Sequence, residues 1–305
     1  MTIEQTSSIK SRCEALIHQL RLPADFYSII DDIYLPLSSV ILDKKSDRPL
    51  FVSINGVQGS GKSTMTQFLK LILETELQAE VAVLSLDDFY LTRQHRNRLA
   101  EQLHPLLMTR GVPGTHDVDM LEQVLYSLIG QEKCLIPVFD KAADDVCDSS
   151  RWITIDDPVQ IILFEGWCNN SPVQNAEELA EPINELERKY DADGVWRNYV
   201  NQKLQEYHDR VFGRSDLCVM LKPPNFECVY RWRSLQEQKL RQAAEQSSRA
   251  GEMPEKIMDE AQLNHFIQHF ERISRHTLEH LPQLADVVIP INEDHRLTEI
   301  RLNTK

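Results

Sequence analysis

The chain has 305 residues, 42% hydrophobic and 26% charged, the proportions of an ordinary globular protein. Its formal net charge of −14 argues against nucleic-acid binding, which needs a basic footprint to release counterions. No run approaches the roughly 18 apolar residues that span a bilayer. The six cysteines include no C-x-x-C pair, so the expectation is a cytoplasmic protein with reduced thiols and neither a nucleic-acid nor a membrane partner.

Residues 1–49 carry helical periodicity, in Ile9, Cys13, Ile17 and Leu20 and then in Phe26, Ile29, Ile30, Ile33 and Tyr34. They are read as an N-terminal helical segment packed on the core. Residues 50–305 are read as one α/β domain, since the whole chain lies near the upper size for a single core. The apolar run Leu50-Phe51-Val52-Ser53-Ile54 leads into Gly56-Val57-Gln58-Gly59-Ser60-Gly61-Lys62-Ser63. This is G-x-x-x-x-G-K-[ST] between a strand and a helix, the phosphate-binding loop or Walker A motif. Its glycines let successive N–H groups face phosphate oxygens, and the following helix adds its positive end. Gly56, Gln58, Gly59, Ser60, Gly61, Lys62, Ser63 and Thr64 are therefore expected to hold a nucleotide, with Lys62 on the β- and γ-phosphates and Ser63 in the Mg²⁺ shell. The helix should run to about residue 77.

Four more apolar runs, at 81–86, 159–164, 217–221 and 286–291, are too continuous for strands with one wet face. Alternating with helices, they predict a P-loop NTPase fold: a five-stranded parallel sheet with helices on both faces, plus the N-terminal and lid helices. Ligands of such sheets bind beyond the carboxyl ends of the strands. The second run ends at Asp87-Asp88-Phe89-Tyr90, where a carboxylate can orient an attacking hydroxyl or take its proton. The third ends at Glu165-Gly166-Trp167, where an acid is placed to hold Mg²⁺. Between them, Arg110 to Asp117 forms a Gly- and Pro-rich loop on the catalytic edge, followed by a helix over about 120–128. Residues 169–200 read as an insertion whose Glu177, Glu178, Glu181, Glu185 and Glu187 form a solvated face. After the fourth run, a lid over about 225–245 carries Tyr230, Arg231, Trp232, Arg233, Lys239 and Arg241. Arg233 is the preferred arginine to neutralise a transferring phosphoryl group. Ile291 could lie against an adenine ring.

The set Gly56–Ser63, Ser85-Leu86-Asp87-Asp88-Phe89-Tyr90, Gly111-Val112-Pro113-Gly114-Thr115-His116-Asp117, Phe164-Glu165-Gly166-Trp167 and Tyr230-Arg231-Trp232-Arg233 resembles the D-glycerate 3-kinase family. That family lies within the phosphoribulokinase, uridine kinase and pantothenate kinase group. The resemblance spans roughly residues 25–295 in motif order. It implies that Asp87 is the catalytic base, that Glu165 is the acid on the Mg²⁺ side, and that Asp117 belongs to the acceptor-binding loop. Where the family often carries Tyr-Asp-Lys-Ser, this chain has Phe139-Asp140-Lys141-Ala142. The expected activity is transfer of the γ-phosphoryl of MgATP to D-glycerate. Lys62, Asp87 and Arg233 would be catalytic, with Asp88, Tyr90, Arg110, His116, Asp117 and Lys141 around a hydroxy-acid acceptor. Two alternatives stand beside it: a kinase of the same group acting on another small alcohol, and a nucleotide-gated interaction protein with no acceptor.

Overall fold

Every residue of β1 (Leu50–Gly56) is buried, so the strand has to be covered on both faces. Leu50, Val52 and Ile54 point into one cluster and Phe51 into another, as the two-residue period of a strand requires. The computed structural model describes residues 3–235, 238 and 258–303. Within them, β1 is central to a sheet ordered β10-β9-β8-β1-β7-β2. Its other strands are β2 (Glu80–Ser85), β7 (Val159–Gly166), β8 (Leu217–Lys222), β9 (Val287–Pro290) and β10 (Arg301–Leu302). The five expected strands are parallel, and β10 adds a short antiparallel edge on β9. The two residues of β10 are too few for an alternation to register in the sequence.

One face of the sheet is covered by α1 (Ile3–Gln19), the turn α2 (Tyr27–Ile29), α3 (Leu35–Asp43) and α4 (Lys62–Leu77). Met65, Phe68, Leu69, Ile72 and Leu73 of α4 are buried, spaced i, i+3, i+4, i+7, i+8 as a helix with one apolar stripe demands. The other face takes α6 (Val118–Ile129) and α8 (Val195–Arg210). Helix α5 (Arg93–Gln102) leads into the loop before α6. The stretch between α6 and β7 folds as two small antiparallel pairs, β3 (Cys134–Ile136) with β6 (Ile153–Ile155) and β4 (Phe139–Asp140) with β5 (Asp145–Val146).

The long helix α10 (Glu260–Leu284) opens with an Asp259–Gln262 capping box, which satisfies two of its orphan N–H groups. Its buried Leu263, Ile267, Phe270, Ile273 and Leu281 join three apolar clusters, each contributing on the order of 1.5–3 kcal/mol. Residues 227–235 are helical (α9). Of the expected lid, residues 236, 237 and 239–245 lie outside the described residues, Lys239 and Arg241 among them.

One expectation for residues 169–200 is corrected. Glu187, on α7 (Glu185–Tyr190), is not on a solvated face: it is fully buried. Its carboxylate accepts from Arg272 of α10 at 2.8 and 2.6 Å, a bidentate pair that compensates its burial. Among the described residues, no helix is long and apolar enough to cross a membrane.

Candidate active site

The carboxyl ends of β1, β2 and β7 finish level, since Ile54 and Ser85 are both register partners of Glu165. From β1 the chain enters the phosphate loop, where Gly61 has φ +92° and is the N-cap residue of α4. A side chain there would be strained, and the loop delivers whatever it holds to the positive end of the helix. Gly56 is needed for a different reason: a Cβ would lie 2.6 Å from Ser60 Oγ. Lys62 donates from Nζ to the Val57 carbonyl at 3.2 Å. Burial lowers its pKa, while Glu165 and Asp87 oppose that shift.

Glu165 is 6% exposed. Its Oε1 accepts from Ser63 Oγ at 2.8 Å and from Ser85 Oγ at 3.1 Å. A hydroxyl and a carboxylate in contact at the mouth of a phosphate loop are the oxygen donors that a hard cation takes.

Opposite the loop, Asp87 stands on the 3-10 turn Leu86–Phe89 that ends β2. Lys141 Nζ donates to its Oδ2 at 2.6 Å, and the Tyr90 hydroxyl donates to its Oδ1. Burial pushes the Asp87 carboxyl up. Lys141, the hydrogen bonds from Lys141 and Tyr90, and Lys62 outweigh that and hold it below the ordinary carboxylate value. The carboxylate is thus ionised and shared between a cation on the phosphate side and one on the opposite side. Arg110 completes that far side, paired with Asp144 and lying over the rings of Tyr90 and Phe139 at 6.0 and 5.5 Å.

These groups line one cleft of about 650 Å³, which also holds Gln58, Gly59, Gly61, Ser63, Thr64 and Arg233. The size suits a nucleotide-scale ligand. The structure does not bring the remaining expected residues to it. Asp117 caps α6, accepting from Met120 N–H at 2.9 Å. Asp88 accepts from Phe139 N–H at 3.2 Å and so tethers β4; burial, foremost, raises its pKa to about 6. His116 is 4% exposed behind Tyr90, ring centroids 4.8 Å apart. Burial drives its pKa down to about 3, so it is a neutral ring and offers no charge to an anion. Ile291 is packed in the core. Gly56 and Ser60 shape the loop from beneath, Ser60 lining a neighbouring hollow of about 700 Å³ with Phe26, Tyr34, Asn292 and Leu297.

The cleft also includes residues not anticipated from the sequence: Trp167, Phe266, Phe270, Glu293, Asp294 and His295. Trp167 donates to the Gly111 carbonyl at 2.7 Å and meets Phe270 edge-on at 5.0 Å. Trp232 lies against His295, ring centroids 4.3 Å apart and the planes tilted by 33°. The apolar period of α10 could have marked Phe266 and Phe270 as inward-facing, but nothing local says which inward surface they meet.

Comparison with known proteins fits this geometry. No family model matches the chain. It is 34% identical over 214 residues to the Schizosaccharomyces pombe protein named "Uncharacterized kinase mug58", covering 65% of this chain and 73% of that one. It is 32% identical over 210 residues to the "Probable ATP-dependent kinase TDA10" of Saccharomyces cerevisiae (63% and 68% covered). It is also 30% identical over 221 residues to the chloroplastic D-glycerate 3-kinase of Arabidopsis thaliana, covering 69% of this chain and 45% of the plant enzyme. The chain belongs to the D-glycerate 3-kinase family. Among solved structures, the D-glycerate 3-kinase of Cryptococcus neoformans superposes with a TM-score of 0.71 at 22% identity (89% and 99% covered), a likeness of fold. The structure of the YGR205w protein gives 0.69 at 25% identity (92% and 98% covered). Like others of the D-glycerate 3-kinase family, the chain is a P-loop kinase: an ATP-dependent phosphotransferase whose acceptor is an alcohol group on a small molecule.

Proposed function

We propose that the protein phosphorylates D-glycerate with MgATP, giving 3-phosphoglycerate. The observation that carries this reading is the position of Asp87 between Lys62 of the phosphate loop and Lys141 on the far side of the cleft. A phosphoryl acceptor must set its hydroxyl in line with the γ-phosphorus, on the side away from the leaving ADP. That side is assigned to Asp87, which lines the cleft with Lys62 and Lys141. Its ionised carboxylate takes the hydroxyl proton as the oxygen bonds to phosphorus and the bond to the ADP oxygen breaks. Lys62 and the phosphate-loop N–H groups stabilise the equatorial oxygens and the departing ADP, and Arg233 approaches the same phosphoryl from α9. Ser63 and Glu165 would hold a magnesium ion through their oxygens, and the ion would supply further positive charge at the transferring phosphoryl.

The acceptor's carboxylate fits Arg110 and Lys141. Two cations beside Tyr90 favour a small hydroxy acid over a neutral nucleoside. The name of the plant relative supports glycerate among such acids. The experiment is a panel of alcohols incubated with MgATP and the protein, read by mass spectrometry of the phosphorylated product. Glycerate should turn over with the highest kcat/KM. Turnover of a nucleoside or of pantothenate with glycerate untouched would remove the assignment.

A further inference from the structure

Away from the cleft, α10 presents His276 and His280 one helical turn apart, a spacing that puts both rings on one face. The ring centroids are 4.2 Å apart. Glu178, from the segment before α7, reaches the same point. The ligating atoms of the three residues all lie within 4.8 Å of one another, and His276 Nδ1 is 3.4 Å from Glu178 Oε1. We propose that Glu178, His276 and His280 form a binding site for a zinc-class divalent ion, separate from the magnesium position at the phosphate loop.

The donor chemistry selects the metal. Two imidazoles and one carboxylate suit zinc, cobalt, nickel or copper, whereas magnesium takes oxygen donors. Tetrahedral bonds of about 2.0–2.1 Å place ligand atoms about 3.3 Å apart. The Glu178–His276 separation already matches that spacing, and the remaining separations, none above 4.8 Å, close by a shift of His280. Its side chain is 43% exposed, which leaves it rotamer freedom for that movement. Glu178 is 34% exposed, so the site opens to solvent, and water would complete the coordination.

The ion would brace a joint that protein groups already hold. Beside it, Arg272 donates to the carbonyls of Glu178 at 2.8 Å and Glu181 at 2.7 Å, binding the same segment to the same helix. An ion there links the segment to α10 more firmly, and α10 carries Phe266 and Phe270 to the cleft. Its role is structural.

The test titrates the untagged, chelator-treated full chain with Co²⁺ and Zn²⁺ in excess Mg²⁺. Expected results are one equivalent bound, a visible Co²⁺ absorption band of low-coordinate type, and a higher melting temperature with Zn²⁺. Loss of a group that merely supports a ligand already lowers metal affinity about 10-fold, so His280→Ala and Glu178→Gln should each lower it at least that much. Both variants should keep the basal kinase rate and the metal-free melting temperature. Affinity unchanged in both variants would overturn the proposal. So would loss of binding in Glu165→Gln with His280→Ala unaffected, which would locate the ion at the phosphate loop.

Discussion

Asp87 owes its ionisation to its neighbours, because burial alone would raise its pKa. In Lys141→Ala the largest opposing influence and one hydrogen bond are lost, so the Asp87 pKa should rise. The acid limb of the kcat/KM profile should then move to higher pH, because a base must be deprotonated to act and that condition is met later as pH increases. A limb that stays in place would show that Asp87 is not the group titrating. Asp87→Asn should lower kcat by about 10²–10⁴-fold while ATP affinity, measured by calorimetry, stays near normal. Lys62→Ala should cost about 10²–10³ in kcat, the scale for losing one strong electrostatic donor. Asp88 behaves in the opposite way. Its pKa of about 6 lies above the ordinary 3.8, so the folded state holds its proton more tightly and stability falls as pH rises between those values. Asp88→Asn keeps an oxygen for Phe139 N–H and should stabilise the protein by about 1–3 kcal/mol at pH 8 in urea titrations, after allowance for partial solvent screening. At pH 3 the gain should vanish.

At the scale of elements, the most consequential contact is the one that clamps α7 and its preceding segment onto α10. Arg272 spends its guanidinium on the Glu187 carboxylate and on two carbonyls. Removing one partner of a buried pair leaves an uncompensated charge, at a cost of about 3–5 kcal/mol. Arg272→Met should therefore lower the unfolding free energy, read from urea titration, by that amount. A loss below about 1 kcal/mol would mean that water or another side chain replaces the guanidinium. This contact was invisible in the sequence. Glu187 stands in an acidic stretch that looks solvated, and its partner is in a helix far along the chain. The phosphate loop could be read at once, because the residues that shape it and those that use it are contiguous between a strand and a helix. The strand ends at Asp87 and Glu165 were legible for a related reason: a buried run followed by an acid is a local pattern. His116 was misplaced because its burial behind Tyr90 depends on packing against α8. Phe266, Phe270 and His295 were missed because only the tertiary fold folds them over the loop.

For the molecule as a whole, two buried imidazoles contribute to the response to acid. His116 and His269 have pKa values of about 3 and about 4, depressed from 6.5, chiefly by burial. Each stabilises the fold at neutral pH. That contribution is lost as pH falls from 6.5 toward those values, because the unfolded chain takes up the proton first. Melting temperature should accordingly decline below about pH 6.5, with Asp88 opposing part of the loss. His269→Gln should flatten the decline between pH 6.5 and 4. An unchanged slope in that variant would assign the acid lability elsewhere.

The Tyr207 hydroxyl carries one more implication. It accepts from the backbone N–H groups of Gly114 at 2.8 Å and His116 at 3.3 Å, and it lies 3.0 Å from His116 Nδ1. The shape of the loop that holds Arg110 is therefore fixed by an atom on a helix far along the chain. Anyone redesigning acceptor choice by transplanting residues 110–117 into another kinase must transplant that phenol as well. A graft without it would carry the loop's sequence and lose its conformation.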